Sequence, residues 1–166
     1  MSTTPTDHEL IDRLLVLPAG EIRYDSLSTS TLSALATQLA DPFIATSALG
    51  ELAQRGPQDT KDAAENILDR ELWDRHLTAF ALTLLYDRDP ESGIRRMESL
   101  APTCADPKIL TAMIENILSD PERFRTTDRA SLARVIAQRV AALDLEEFND
   151  VEQRDKFLSM FGNASA

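Results

Sequence analysis

The chain has 166 residues, enough for one compact domain with a proper core and too few to suggest two. Its formal net charge of −11 and isoelectric point near 4.6 disfavour direct DNA or RNA binding, which rests on Lys and Arg releasing counterions from phosphates. Hydrophobic residues make up 43% and aromatic ones only 5%, which favours helices packed through Leu and Ala over a sandwich of β-branched and aromatic strands.

In chain order, Thr6 to Glu9 has the spacing of a capping box. Leu10, Ile11, Leu14 and Leu15 follow at helical spacing, in a helix that ends by Leu17-Pro18. Ser28 or Ser30 can cap the next helix, whose apolar stripe is Leu32, Leu35, Ala36 and Leu39, down to Ala40. Asp41-Pro42 opens a third: the carboxylate accepts from orphan N–H groups, and Pro stands in the first helical position, where no donor is needed. Ile44, Ala48, Leu49 and Leu52 line its inner face. Gly56-Pro57 ends it, and Ala63, Ala64, Ile67 and Leu68 form the apolar side of the helix that follows.

A helix over 72–87 carries Trp73, Leu77, Phe80, Ala81, Leu82, Leu84, Leu85 and Tyr86 on nearly every side, so it is expected at the centre of the core. Asp89-Pro90 starts another over 91–100. Asp106-Pro107 starts one with Ile109, Ala112, Met113 and Ile117 inward, ending near Ser119, and Asp120-Pro121 offers a fourth start of the same kind. Thr127 or Asp128 can cap a helix bearing Leu132, Val135, Ile136, Val140 and Leu143. A last helix over 145–160 is expected to turn Phe148, Val151, Leu158 and Phe161 inward and end near Gly162, with 163–166 a loose tail. No useful length alternates with period two, so no sheet is expected.

The helix pair beginning at Asp41 recurs. A shift of 33 residues carries Ile44 to Leu77, Ala48-Leu49 to Ala81-Leu82, Leu52 to Leu85 and Ile67 to Leu100. A fainter third copy, one residue shorter, places Ile109, Met113, Ile114 and Ile117 on the same positions. On these residues the segment 41–52, with Asp-Pro before an aliphatic residue, a small residue and a Leu-Gly, resembles the first helix of a HEAT-like repeat. The resemblance covers roughly 41–119. It implies an all-α fold, a short right-handed α-solenoid of stacked antiparallel helix pairs, and most often a protein-binding role without catalytic residues. Residues 1–166 then form one domain: a divergent N-terminal pair over 1–40, HEAT-like hairpins over 41–119 and C-terminal helices over 120–166. One departure stands out: Ala45 occupies the position where many such repeats place an Arg, so the usual polar ladder between repeats is not expected from there.

Catalytic groups are few. His8 lies in the first turn of a terminal helix. His76, one turn from Trp73 and Phe80, is expected to be a packed side chain with one hydrogen bond rather than a ligand. No Cys pair or His-Glu-x-x-His offers a zinc site, and the carboxylates of 87–91 lack the Gly turn and distal Glu of a calcium loop. The glycines never reach a phosphate-cradling spacing. Cys104 has no basic neighbour to activate it. A protein that is not an enzyme and holds neither metal nor cofactor is expected.

Charge placement is more informative. Asp59, Asp62, Asn66 and Asp69 follow spacings of three and four, one polar stripe opposite Ala64, Ile67 and Leu68. In a right-handed solenoid the second helices line the concave side, so an acidic groove for a basic protein partner follows, although an ordinary solvated helix face has the same pattern. Arg123, Arg125, Arg129, Arg134 and Arg139 are expected to pair with the acidic group Asp144, Glu146, Glu147, Asp150, Glu152 and Asp155. The reading is an interaction module, in its most specific form a bacterial immunity protein that neutralises a toxin by covering a positive groove. A scaffold subunit of a larger assembly, or a HEAT-like nucleic-acid enzyme, are the alternatives. The start of the chain has no basic n-region or apolar h-region and no run approaches the ~20 residues of a bilayer span, so a cytoplasmic location without membrane contact is expected.

Overall fold

Aspartate caps mark where most of the helices begin. Among the described residues, 7–38, 41–70, 74–148 and 150–162 of a computed structural model, there are nine α-helices and no strand. They are α1 (Asp7–Leu14), α2 (Thr29–Thr37), α3 (Pro42–Arg55), α4 (Pro57–Leu68), α5 (Arg75–Arg88), α6 (Pro90–Leu100), α7 (Pro107–Ser119), α8 (Ala130–Ala141) and α9 (Val151–Phe161). Thr6, Leu39, Ala40, Leu72, Trp73 and the tail 163–166, for which roles were expected, lie outside the described residues.

Asp41 accepts from the N–H groups of Phe43 and Ile44 at 2.8 and 3.1 Å, and Asp106 from those of Lys108 and Ile109 at 2.8 and 3.2 Å. Between them Asp74, with no Pro after it, accepts from the Leu77 N–H at 2.8 Å and starts α5 at Arg75 rather than at 72. The three caps stand 33 and 32 residues apart, the spacing of the apolar register. Each is worth ~1 kcal/mol to its helix.

Three expectations near the C-terminus are corrected. Asp120-Pro121 opens only a 3₁₀ turn, Pro121–Phe124; its carboxylate makes no cap bond and pairs with Arg123 at 3.1 Å. Neither Thr127 nor Asp128 caps α8, because the residue before it is Arg129, which makes no side-chain cap bond. The last helix starts at Val151, capped by Asp150 through the Gln153 N–H at 2.9 Å, instead of at 145. Of the expected inward residues Phe148 and Phe161 are buried and Leu158 packs on the core, but Val151 is 42% exposed, and Phe157, its ring 5.3 Å from that of Phe161, is the one fully buried.

The recurring positions form the core. Ile44, Leu77 and Ile109 are each 1% exposed, and Leu49, Leu82, Leu52, Leu85, Met113 and Ile117 are fully buried. These residues pack α3 on α5 and α5 on α7, and α7 continues onto α9. α2 and α4 pack on α3, α4 and α6 on α5, and α8 on α7 and α9. As expected, α5 is central, with α3, α4, α6 and α7 all against it.

Ala45 is buried, so an Arg there would have no water to reach, and other side chains link the successive pairs. At the end of α3, Arg55 donates to the carbonyls of Tyr24 and Asp25 at 3.0 Å and to that of Leu27. Thirty-three residues on, Arg88 donates to the Ala53 carbonyl at 2.7 Å. Lys61 of α4 pairs with Asp89, the cap of α6, at 2.6 Å. Arg96 of α6 pairs with Asp69 beyond α4, and Arg129 before α8 pairs with Glu91 of α6 at 2.6 Å. Arg139 of α8 donates to the carbonyls of Ala101 and Pro102 past the end of α6. A polar ladder exists, built from helix ends.

Candidate functional site

Asp59, Asp62, Asn66 and Asp69 are all exposed on or just past α4, with Ala63, Ala64, Ile67 and Leu68 buried on the other side. Their charge is partly spent within the chain. Asp69 pairs with Arg96, Asn66 accepts from Arg70 at 3.0 Å, and Asp62 accepts from the Gln58 amide at 2.7 Å. Among the described residues, Asp59 and Asp62 are the two carboxylates of the stripe without an ion pair.

The three largest hollows and a small one lie along α3, α5, α7 and α9, a further one of about 150 Å³ lies between α8 and α9, and none of those four residues lines any of them. One of about 370 Å³ is lined by Pro42, Phe43, Thr46, Ser47, Asp74 and His76. The next, about 340 Å³, shares Thr46 and His76 and adds Ala79, Phe80, Thr83, Lys108, Thr111, Ala112 and Glu115. A smaller one of about 110 Å³ holds Arg75, His76, Pro107, Lys108, Thr111 and Glu147. Glu115 also belongs to a hollow of about 500 Å³ with Leu118, Ser119, Asp150, Glu152, Gln153 and Lys156. Shared lining residues join the four into one groove crossing α3, α5, α7 and α9.

The repeat register explains which side chains reach it. Counted from each cap, Phe43, His76 and Lys108 are equivalent, as are Thr46, Ala79 and Thr111, then Ser47, Phe80 and Ala112, then Gly50, Thr83 and Glu115. These rows alternate with the core rows at helical spacing; the core rows stay apolar throughout, whereas of these only the Thr46–Ala79–Thr111 row keeps to one kind of side chain, a small one. The internal alignment that found the core contains this signal in its mismatched columns.

His76 is a correction. It is exposed, lines three of the hollows and is not a packed side chain, because Asp74 starts the helix and puts His76 in its first turn on the groove side. Phe43 is 74% exposed on the same row, an apolar ring facing water.

The Arg cluster is a second correction. Arg123 and Arg129 reach Glu91, Arg123 also Asp120, Arg125 pairs with Glu122, and Arg134 donates to its own helix at Ala130. None reaches the acidic C-terminal group, because α9 turns Phe157 and Phe161 inward and its acids outward. Of that group only Asp155 is in an ion pair among the described residues, with Arg154, whose guanidinium also stands 5.5 Å above the Phe148 ring. The others are exposed; Asp150, which caps α9, and Glu152 line the hollow at the α9 end, and Glu147 lines the small one beside Lys108.

No family model, curated protein or solved structure matches this chain. The chemistry of the groove has to speak for itself. Its walls are mainly hydroxyls, methyls, two aromatic rings and scattered charges. Among the described residues no three His, Cys, Asp or Glu side chains are grouped to hold a metal ion, and no helix is long and apolar enough to cross a membrane.

The strongest electrostatic perturbation lies elsewhere. Lys61 beside Asp89, with the Ser92 hydroxyl at 2.8 Å and its N–H at 3.2 Å, holds the Asp89 carboxyl well below the usual carboxylate range. Arg129 lowers Glu91 in the same way. Those carboxylates of 87–91 are thus tied to cations of this chain. Burial pushes the Cys104 thiol up, away from the reactive thiolate.

Proposed function

We propose that this chain is a non-enzymatic protein-binding module, a short right-handed α-solenoid that holds a basic partner, with the groove across α3, α5, α7 and α9 as the contact surface. One observation carries the reading: the positions that pack the units are apolar in every copy, whereas groove rows such as Phe43–His76–Lys108 and Ser47–Phe80–Ala112 change chemistry from unit to unit. Stacked units must bury the same stripe to stay stacked, and a surface free of that demand is where such arrays bind. The caps at 41, 74 and 106 and the cationic links between successive helices support stacking of repeated units. The net charge of −11 and the exposed acids near α9 support a basic partner, and toxin neutralisation is the form in which an acidic surface covers a positive site.

The test begins with capture of the partner from the native host and its purification. Thr46→Arg with Thr111→Arg, both at half-buried groove positions, fills the groove; Asp59→Asn with Asp62→Asn discharges the α4 stripe. The groove pair is expected to lower affinity at least tenfold and the stripe pair to leave it within about twofold. Unchanged binding by the groove pair with loss by the stripe pair would move the contact to α4, and loss in neither would sink both assignments.

A further inference from the structure

The two ends of the groove differ in chemistry, and the difference specifies an occupant. At the α3–α5 end, Pro42 and Phe43 stand over a hollow that also reaches Thr46 and His76. A ring 74% in water gains by being covered, and an aromatic or large aliphatic side chain is what covers it. At the α7–α9 end, Glu115, Asp150 and Glu152 meet one base, Lys156. Among the described residues none of the three acids has an ion pair; Asp150 also caps α9 through the Gln153 N–H, which leaves Glu115 and Glu152 as the acids open to a cation. Midway, Lys108 and Arg75 provide donors that no carboxylate binds among the described residues, suited to the unpaired carbonyls of an extended backbone.

Resting on the binding-module reading above, we infer that the groove reads one extended protein segment bearing an apolar anchor for the Phe43 hollow and, about five to seven residues away, Lys or Arg for the Glu115–Glu152 hollow. The spacing follows from geometry. The hollows are centred two helix-to-helix steps apart, roughly 16–20 Å at 8–10 Å per step, and Glu115 stands seven places further from its cap than Phe43 does, about 10 Å along the helices, so roughly 19–23 Å separates them and an extended chain at about 3.3–3.6 Å per residue covers it in about five to seven residues. A helical occupant, rising 1.5 Å per residue, would need its two features about 13–15 residues apart.

The inference is tested on the full chain with a random peptide library sixteen residues long, displayed on phage and selected at low salt. Selected sequences are then synthesised and their affinities measured against the wild type, Phe43→Ala, and Glu115→Gln with Glu152→Gln. The expected result is a shared pattern of one large apolar residue and one or two Lys or Arg about five to seven places away. Phe43→Ala should weaken these peptides about fivefold or more, and should have no effect once their anchor is replaced by Ala. The Gln pair should weaken them similarly and flatten their salt dependence. Peptides blocked by Thr46→Arg with Thr111→Arg but lacking this pattern, or showing a spacing of eleven or more, overturn the inference and leave the groove as a binding site. Peptides indifferent to the groove variants, or no enrichment at all, overturn the groove and the inference together.

Discussion

Two glycines stand inside helices, and the packing around them gives opposite signs to the same substitution. A Cβ built on Gly93 of α6 lies 2.6 Å from the Cα of Tyr86 in α5, 2.8 Å from its Cβ and 3.0 Å from its nitrogen. Carbon atoms settle at about 3.5–4.0 Å, so Gly93→Ala must push α6 about 1 Å off α5, against backbone that cannot swing aside. Overpacking of this kind costs about 1–3 kcal/mol, from which the better helix propensity of Ala returns about 0.5–1, leaving a net loss of ~1–2 kcal/mol. At Gly50 of α3 the nearest atoms are those of the Phe80 ring, at 3.9 and 4.0 Å, which is ordinary contact. Gly50→Ala therefore keeps the whole propensity gain. In thermal melts Gly93→Ala is expected to lower Tm by about 2–8 °C and Gly50→Ala to raise it by about 1–4 °C, with urea midpoints moving in parallel. Equal shifts in the two variants, or a Gly93→Ala protein that melts at or above the wild type, would refute the close approach of α5 and α6.

Other outcomes follow from the same geometry. Asp74→Ala removes the cap on the Leu77 N–H and should cost ~1 kcal/mol in urea unfolding, much as Asp41→Ala or Asp106→Ala does; a neutral result would mean α5 starts elsewhere. Leu82→Ala, at a fully buried position, should cost about 2–5 kcal/mol by the same assay. Phe43→Ala should leave stability within about 0.5 kcal/mol while weakening the partner complex, since the ring touches mainly water in the free chain. The Asp89 carboxyl titrates below its unfolded value of about 4, so its contribution is complete above that value and is lost as pH falls through the lower, folded one. Urea midpoints measured from about pH 6 down to about pH 3 should therefore fall less steeply in Asp89→Asn than in the wild type, from a lower start; parallel curves would show that the Lys61 contact is not formed.

The apolar register was readable because burial on one face of a helix forces a period, and Ile44, Leu77 and Ile109 obey it. Asp41, Asp89 and Asp106 were readable through the Pro behind each. Asp74 lacks that Pro and is recognised only by its equivalence to Asp41. Asp120-Pro121 shows the converse. Pro fixes a φ that suits a 3₁₀ turn as well as an α-helix, and no apolar stripe follows to extend it. Phe148, Leu158 and Phe161 were readable as inward, but Val151 stands at the start of α9, after the separate turn Leu145–Glu147, and faces water, while Phe157 takes the core. The groove has no period of its own: Phe43, His76 and Lys108 share a place and nothing else, so no run of like charge marks them. The Arg residues between 123 and 139 lie near the acidic group in sequence and not in space, where Glu91 and the carbonyls after α6 are nearer.

The separation between supporting and outward-facing columns has a practical side. Because no residue of the Phe43–His76–Lys108 column holds one helix against another, its members can be exchanged wholesale without endangering the body that carries them. A library randomised at Phe43, His76 and Lys108 would explore new targets on an unaltered frame, and the chain could be retargeted as readily as it could be switched off.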